Sequence, residues 1–291
     1  MILRDKPGIL ALLFAVRGSV LPVIAPQLLF VAAFSAAIVA IDRHVLTLPH
    51  VQAAPLAVFG VALSLFLGFR NNAAYDRWWE ARRLWGGLLA DARSIAREAE
   101  IFLPEAIDRR RLLTAMRAFL HQHRCALRGL PNDAAALRDA PAMTPDATLD
   151  AMAAHLANAL HQGRMDGFGA RTLSTRLSSI AQAQAGCERI KLTPLPYVYS
   201  LLIFRTSWLY CLLLPFALLE PTGWLTPLFA VIVAYTFFGL AEVTEELAHP
   251  FGLTANALPL DAICRTAEIS LAPHLAEPAP PQLKPAGYRL D

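Results

Sequence analysis

The sequence predicts an all-α membrane protein with four transmembrane helices per subunit and a helical cytosolic portion. Two observations carry this expectation. Hydrophobic residues make up 56% of the 291 positions and charged residues only 17%, against roughly a quarter charged in soluble domains. The apolar residues also gather into runs long enough to cross a bilayer, for which about 20 residues are needed.

Residues 20–41 hold no charged side chain and form the first expected span. Residues 45–69 are again uncharged, with Pro49 and Pro55 near the start. Proline suits the first turn of a helix, so the second span is placed from about Pro55. Residues 193–219 are apolar except for Arg205, and 221–240 carry no charge. Only residues 220–223 remain between them as a turn, which predicts a tight hairpin of a third and fourth span.

Lys and Arg lie at the opposite ends of these spans. Arg17 precedes the first, Arg70, Arg77, Arg82 and Arg83 follow the second, and Arg189 and Lys191 precede the third, whereas the connectors 42–54 and 220–223 hold only Arg43. The positive-inside rule then places both termini and the middle region in the cytoplasm, with the chain multi-pass in a bacterial inner membrane. Arg4, Lys6 and Arg17 ahead of an apolar run resemble a signal peptide, but the run is too long and has no small-residue cleavage site, so it is read as retained.

The chain divides into residues 1–69 with the first two spans, a mainly helical cytosolic region at 70–192, the hairpin at 193–240, and a cytosolic C-terminal segment at 241–291. In the middle region Trp78, Ala81, Trp85, Leu88, Ala92 and Ile95 recur at helical spacing. This predicts an amphipathic helix running straight on from the second span. Further helices are expected at about 105–127 and 145–162, the latter with Thr144 as N-cap, Pro145 at the first position and Gly163 past the end. Another is expected at about 172–185, with Leu173, Leu177 and Ile180 on one face. No segment reads as a strand, and the Pro-rich stretch 273–285 reads as extended or disordered.

Several function classes are disfavoured. The net charge is +3 with no block of like charge, so no nucleic-acid footprint is visible. Cys125, Cys187, Cys211 and Cys264 are widely spaced, without a CxxC pair, and read as reduced packing residues. No convergent catalytic set, phosphate loop, cofactor motif or metal cluster is seen, so neither an enzyme nor a cofactor is expected. His121 and His123, two apart on a helix, point in different directions and are expected to be solvated. Glu242, Glu245 and Glu246 close the fourth span, either as a solvated helix end or as an acidic ring in an oligomer.

Arg205 lies inside a span, where a cation is costly. It either fixes helix packing through a buried pair or carbonyl contact, or faces a water-filled space. In the second span Val61, Leu65 and Phe69 recur at i, i+4 and i+8, followed by Arg70, Asn71 and Asn72. Alone, such a stripe is core packing. Around a symmetric pore it becomes stacked apolar rings able to gate by dewetting. Gly60, Ala62, Ser64 and Gly68 supply small surfaces for close helix approach.

The run Phe66-Leu67-Gly68-Phe69-Arg70-Asn71-Asn72-Ala73-Ala74-Tyr75-Asp76-Arg77-Trp78-Trp79-Glu80-Ala81-Arg82 resembles the second-span signature of the bestrophin family, especially its bacterial members. The resemblance continues in Gly186-Cys187-Glu188-Arg189-Ile190, in Thr193-Pro194-Leu195-Pro196-Tyr197, in Glu245-Glu246-Leu247-Ala248-His249-Pro250-Phe251-Gly252 and in Leu258-Pro259-Leu260-Asp261. It implies a homopentamer around a central pore, its partners being further copies of itself, the lipid bilayer and small monovalent ions. It further implies a neck of Val61, Leu65 and Phe69, polar groups Asn71 and Asn72 just below it, and a cytosolic aperture at Ile180. Bacterial members imply monovalent cation conduction, with chloride conduction on the same fold as the alternative. Residues 253–260 hold no acid, so the calcium clasp of animal members is not expected. The rival readings are a secondary transporter, for which no internal symmetry is seen, and a membrane scaffold.

Overall fold

The structure is a computed structural model and describes residues 1–2, 8–9, 15–16, 18–49 and 51–291. Arg4, Lys6 and Arg17, and with them the expectation for the N-terminal run, lie outside the described residues. The described chain forms α1 (Leu21–His44), α2 (Ala53–Phe102), α3 (Ala106–Arg128), a single turn α4 (Ala134–Leu137), α5 (Pro145–His161) and α6 (Gly167–Leu192). These are followed by α7 (Tyr197–Thr222), a 3-10 turn (Gly223–Leu225), α8 (Thr226–Ala248), α9 (Leu260–Leu271) and a last 3-10 turn (Pro273–Leu275). Among the described residues the only extended pairings are the isolated bridges Ile2 to Arg289 and Ala286 to Arg289.

Three stretches are long and apolar enough to cross a membrane: α1, α2 and the 52 residues Tyr197–Ala248. The third turns at Gly223, whose φ of 51° is left-handed and suits a residue without Cβ. It therefore consists of α7 and α8, which pack on one another.

The chain forms two compact units, one of Asp5–Trp78 with Pro194–Ala248, the other of Met1–Arg4, Trp79–Thr193 and His249–Asp291. In the first, the membrane unit, Ile24, Leu28 and Val31 of α1 meet Ala230, Ala234 and Phe237 of α8, and Leu63 and Leu67 of α2 join them. Gly60 lets α2 close on α7: a Cβ there would stand 2.8 Å from the Tyr210 hydroxyl. Trp208 stacks into a ring cluster with Phe30 at 5.7 Å and Phe238 at 5.0 Å between centroids.

The second unit is built on α3, against which α4, α5, α6 and α9 all pack. That encirclement overturns the expectation of solvated histidines. His121 is buried and meets Glu268 at 3.1 Å, while His123 is wholly buried and stacks between Trp85 and Phe119 with centroids 5.5 and 5.7 Å away. Buried cations on α3 are matched. Arg124 pairs with Asp133 and, at 2.5 Å, with Asp261; Arg128 reaches the other Asp261 oxygen at 2.6 Å. Arg117 is held by Glu277 at 2.6 Å and Asp139 at 3.1 Å.

Glu277 is also why the Pro-rich stretch departs from the disordered reading. A guanidinium buried in the unit needs a counter-charge, and residue 277 supplies it. The end of the chain is tied down as well, with Leu290 N–H donating to Met1 O at 2.9 Å and Ala262 N–H to Asp291 O at 2.8 Å.

Element starts follow the expected chemistry. Thr144 Oγ1 accepts from Ala147 N–H at 3.3 Å to cap α5, and Gly163 follows its end with φ 68°. Asp166 caps α6, accepting from Gly169 N–H at 2.7 Å. α6 is longer than the expected 172–185 and runs through Gly186, because a Cβ there would lie 2.9 Å from Leu84 of α2. The glycine thus serves helix contact rather than helix termination. Likewise α2 passes Gly86 and Gly87 unbroken. Each costs about 1 kcal/mol in propensity, which the fully buried Ala81, Trp85, Leu88, Ala92 and Ile95 offset.

The buried histidine makes stability pH-dependent. Burial lowers the His123 pKa from 6.5 to about 3, so between those values the unfolded chain binds a proton that the folded chain does not. Stability therefore falls as pH drops from 6.5 toward 3. Glu268 is raised by burial but held net below its ordinary value by the His121 hydrogen bond and Arg265, adding loss at lower pH. In denaturant titrations at pH 7 and pH 5, His123→Phe should flatten the decline between the two, while the unsubstituted protein loses stability. Equal declines in both would refute the assignment to His123.

Candidate functional site: an exposed apolar stripe on α2

Val61, Leu65 and Phe69 are 72%, 57% and 61% exposed on α2, an outward face left uncovered by the chain. Val58, one turn earlier, is also exposed. One turn after Phe69 the same face turns polar at Asn72 and then Asp76, both exposed. Asn71 points elsewhere: its Oδ1 accepts from Thr244 of α8 at 3.4 Å, so it is a packing contact, and of the expected polar pair only Asn72 shares the stripe.

The charged neighbours are arranged to hold the stripe rather than to join it. Arg70 is buried and its Nη2 donates to Glu245 Oε2 at 2.7 Å and to Ser200 Oγ at 2.8 Å, tying α2 to both α8 and α7. Arg77 Nε donates to Ala248 O at 2.7 Å, satisfying a carbonyl at the end of α8. Phe69 itself borders an apolar cavity of about 410 Å³ with Phe66, Leu195 and Tyr199. Arg205 is exposed on α7 and, among the described residues, makes no hydrogen bond or ion pair, so it forms no buried pair within the chain.

Ile180, the sequence-predicted aperture residue, is 0% exposed within the second unit of the chain. The reason lies in the periodicity, since Leu173 and Ile180 share the buried face of α6. Burial on its neighbouring turns is polar: Arg176 of α6 meets Asp91 at 2.8 Å and Glu98 at 2.7 Å on α2, and Ser179 donates to Asp91 at 2.7 Å.

The large apolar side chains that α6 does expose are Phe168, at 79%, and Leu192. Gly169 beside Phe168 lies against the end of α2, where a Cβ would stand 2.7 Å from Phe102 Cβ. Phe168 was missed because an apolar residue between two glycines belongs to no stripe. The available signal was its isolation: Arg171 and Thr172, one turn on, are polar, so no partner at helical spacing calls it inward.

The remaining shared motifs also serve structure. Cys187 is wholly buried, with burial and the nearby Glu188 and Glu80 pushing its thiol up to about 12, and Arg189 reaches Glu80 at 2.6 Å. All four cysteines are free and buried. Asp261 carries the two α3 arginines described above.

The family model described as bacterial/fungal bestrophin protein matches residues 1–273. The chain belongs to the bacterial/fungal bestrophin family. Its similarity to a voltage-dependent anion channel-forming protein of Mesorhizobium japonicum is 47% identity over 98% of this chain and 96% of that one. The voltage-dependent anion channel-forming protein YneE of Escherichia coli K12 is 38% identical, with 93% of each chain covered. Among solved structures, a bacterial bestrophin homologue from Klebsiella pneumoniae superposes with a TM-score of 0.81 at 32% identity, covering 87% of this chain and 99% of that one. Membership in this family and the membrane-length apolar stretches make the protein a membrane protein. Both of these relatives are named for anion conduction, whereas the sequence resemblance implied cation conduction with chloride as the alternative.

Burial separates the two aromatic or aliphatic candidates on α6. Ile180→Ala should cost about 2–5 kcal/mol of stability as a core truncation, and Phe168→Ala should stay within about 0.5 kcal/mol. Denaturant midpoints of the two variants test this, and an undisturbed Ile180→Ala would contradict the burial.

Proposed function

We propose that this bestrophin is a homopentameric ion channel of the bacterial inner membrane, conducting small monovalent anions through a neck of Val61, Leu65 and Phe69. The observation that carries the reading is the exposed stripe on α2. On a spanning helix an apolar face suits lipid as well as a pore, and what favours the pore here is the turn to polar Asn72 and Asp76 on the same face; five copies facing an axis would turn Val61, Leu65 and Phe69 into three stacked rings. In this arrangement each chain crosses the membrane four times, by α1, the first half of α2, α7 and α8, with both termini cytoplasmic.

Apolar rings carry no charge, so they pass ions according to how readily each sheds water and according to their width. Asn72 below the rings offers the first polar contact on the path, and Asp76 beyond it would form a ring of carboxylates, which by itself favours cations. The cavity behind Phe69 gives its ring room to withdraw from the axis, a route to gating. The anion preference rests on the names of the relatives. The cytosolic aperture is assigned to Phe168 rather than Ile180, because Phe168 is the exposed apolar group next to the end of the stripe-bearing helix.

The first experiment is the reversal potential of the purified protein in a planar bilayer under a potassium chloride gradient, with its mass measured in the same detergent. A shift toward the chloride potential and a five-chain mass are expected. A shift toward the potassium potential keeps the channel and overturns the anion preference, whereas a monomer or dimer without current removes the channel reading altogether.

Site variants test the path itself. Leu65→Ser should hydrate the middle ring and raise single-channel conductance several-fold, and Phe168→Ala should also raise it. Ile180→Val, a small change within the core, should leave conductance unaltered. Conductance that responds to Ile180→Val and not to Phe168→Ala would return the aperture to Ile180.

A further inference from the structure

Within the membrane unit α1, α2, α7 and α8 enclose a cavity of about 540 Å³. Its lining is divided into an apolar part, formed by Phe204, Trp208 and Phe238, and a polar part that includes Arg70 with its ion-pair partner Glu245, Ser207 and Glu242. The polar part is incompletely satisfied. Arg70 has a side chain only 7% exposed, and although Nη2 is used twice, its Nε is buried without a partner. Ser207 is 1% exposed and its Oγ has no partner either. Glu242 makes no hydrogen bond or ion pair among the described residues.

Buried donors left unpaired carry their desolvation cost with nothing in return, and they mark places where a ligand or water completes the structure. The buried Arg70 Nε and Ser207 hydroxyl call for an acceptor such as a phosphate oxygen, and the partly exposed Glu242 carboxylate at the same cavity attracts a cation, so the complementary ligand holds both charges. The apolar lining adds a hydrocarbon portion. Phe204 is 61% exposed, so that lining continues from the cavity onto the outer face of α7, which faces lipid in a membrane-spanning bundle.

We propose that this cavity binds the ammonium-and-phosphate headgroup of a zwitterionic phospholipid, with phosphate on Arg70 and Ser207, ammonium on Glu242, and an acyl chain along Trp208, Phe238 and Phe204. The proposal rests on α1, α2, α7 and α8 lying in the membrane, and not on the ion that the neck passes. A soluble zwitterion of the same headgroup chemistry would satisfy the polar groups but leave the apolar lining empty.

The test titrates delipidated protein in detergent with phosphatidylethanolamine, phosphatidylglycerol and soluble phosphoethanolamine, counting bound molecules by native mass spectrometry. One phosphatidylethanolamine per chain is expected, bound roughly tenfold more tightly than phosphatidylglycerol, as one lost charged contact would give. Glu242→Gln should bring the two lipids level by weakening only phosphatidylethanolamine. Phe204→Ala, at an exposed position, should weaken both lipids alike. Equal affinity for both lipids in the unsubstituted protein, or a Glu242→Gln variant of unchanged preference, overturns the headgroup assignment. Phosphoethanolamine binding as tightly as the lipid, or Phe204→Ala without effect, overturns the acyl-chain placement. Because the channel's mass and current are read separately, failure of lipid binding leaves the proposed conduction intact.

Discussion

No water reaches a backbone amide in the hydrocarbon layer, so every crossing segment must close its own hydrogen bonds. That constraint makes the membrane half of α2 helical, and α2 runs on unbroken for 50 residues in all, presenting its faces to each of the two units in turn. The buried face changes composition along its length, from Leu63 and Leu67 in the membrane unit to Trp85, Leu88 and Ile95 in the second unit. The opposite face keeps Val61, Leu65 and Phe69 uncovered. Because a helix fixes angular position at about 100° per residue, no local adjustment could bury the stripe without exposing the core side.

Polar groups then secure the helix where apolar packing alone is non-directional. Arg70 joins α2 to α7 and α8 through two hydrogen bonds from one nitrogen, and Arg77 closes the end of α8. In the second unit, Arg176 draws on two carboxylates of α2, and α3 takes its counter-charges from residues around α4, from α9 and from the C-terminal stretch. Such pairs contribute little net stability against a well-packed apolar alternative. Their effect is on register: each fixes one rotation of one helix, and with it the outward direction of the stripe.

The same logic explains which shared motif residues do not touch the stripe. Gly186, Cys187, Arg189 and Asp261 act on helix approach, core filling and charge matching inside the second unit. Only a small part of the family signature bears directly on the stripe. The rest holds the helix that presents it.

The sequence by itself determined the membrane-length runs, the hairpin turn at Gly223, the continuity of α2 and the caps Thr144 and Gly163. These depend on hydropathy, period and local hydrogen bonds, which are properties of neighbouring residues. It also carried the Val61, Leu65 and Phe69 stripe, since apolar residues at i, i+4 and i+8 share a face in any helix. Tertiary structure alone decided which faces meet something. Ile180 and Phe168 are both apolar residues on α6, and only the packing of α6 buries the first and leaves the second open. His121 and His123 read as solvated by their spacing, yet their faces of α3 are buried, with His121 against Glu268 of α9 and His123 against Trp85 of α2. Glu277 lies in a Pro-rich stretch with no local reason for order and is fixed by Arg117, 160 residues away. The unpaired groups of Arg70, Ser207 and Glu242 belong to three different helices and converge only in the folded unit. Periodicity specifies a face of a helix; what that face touches is set by long-range packing, which no local pattern encodes.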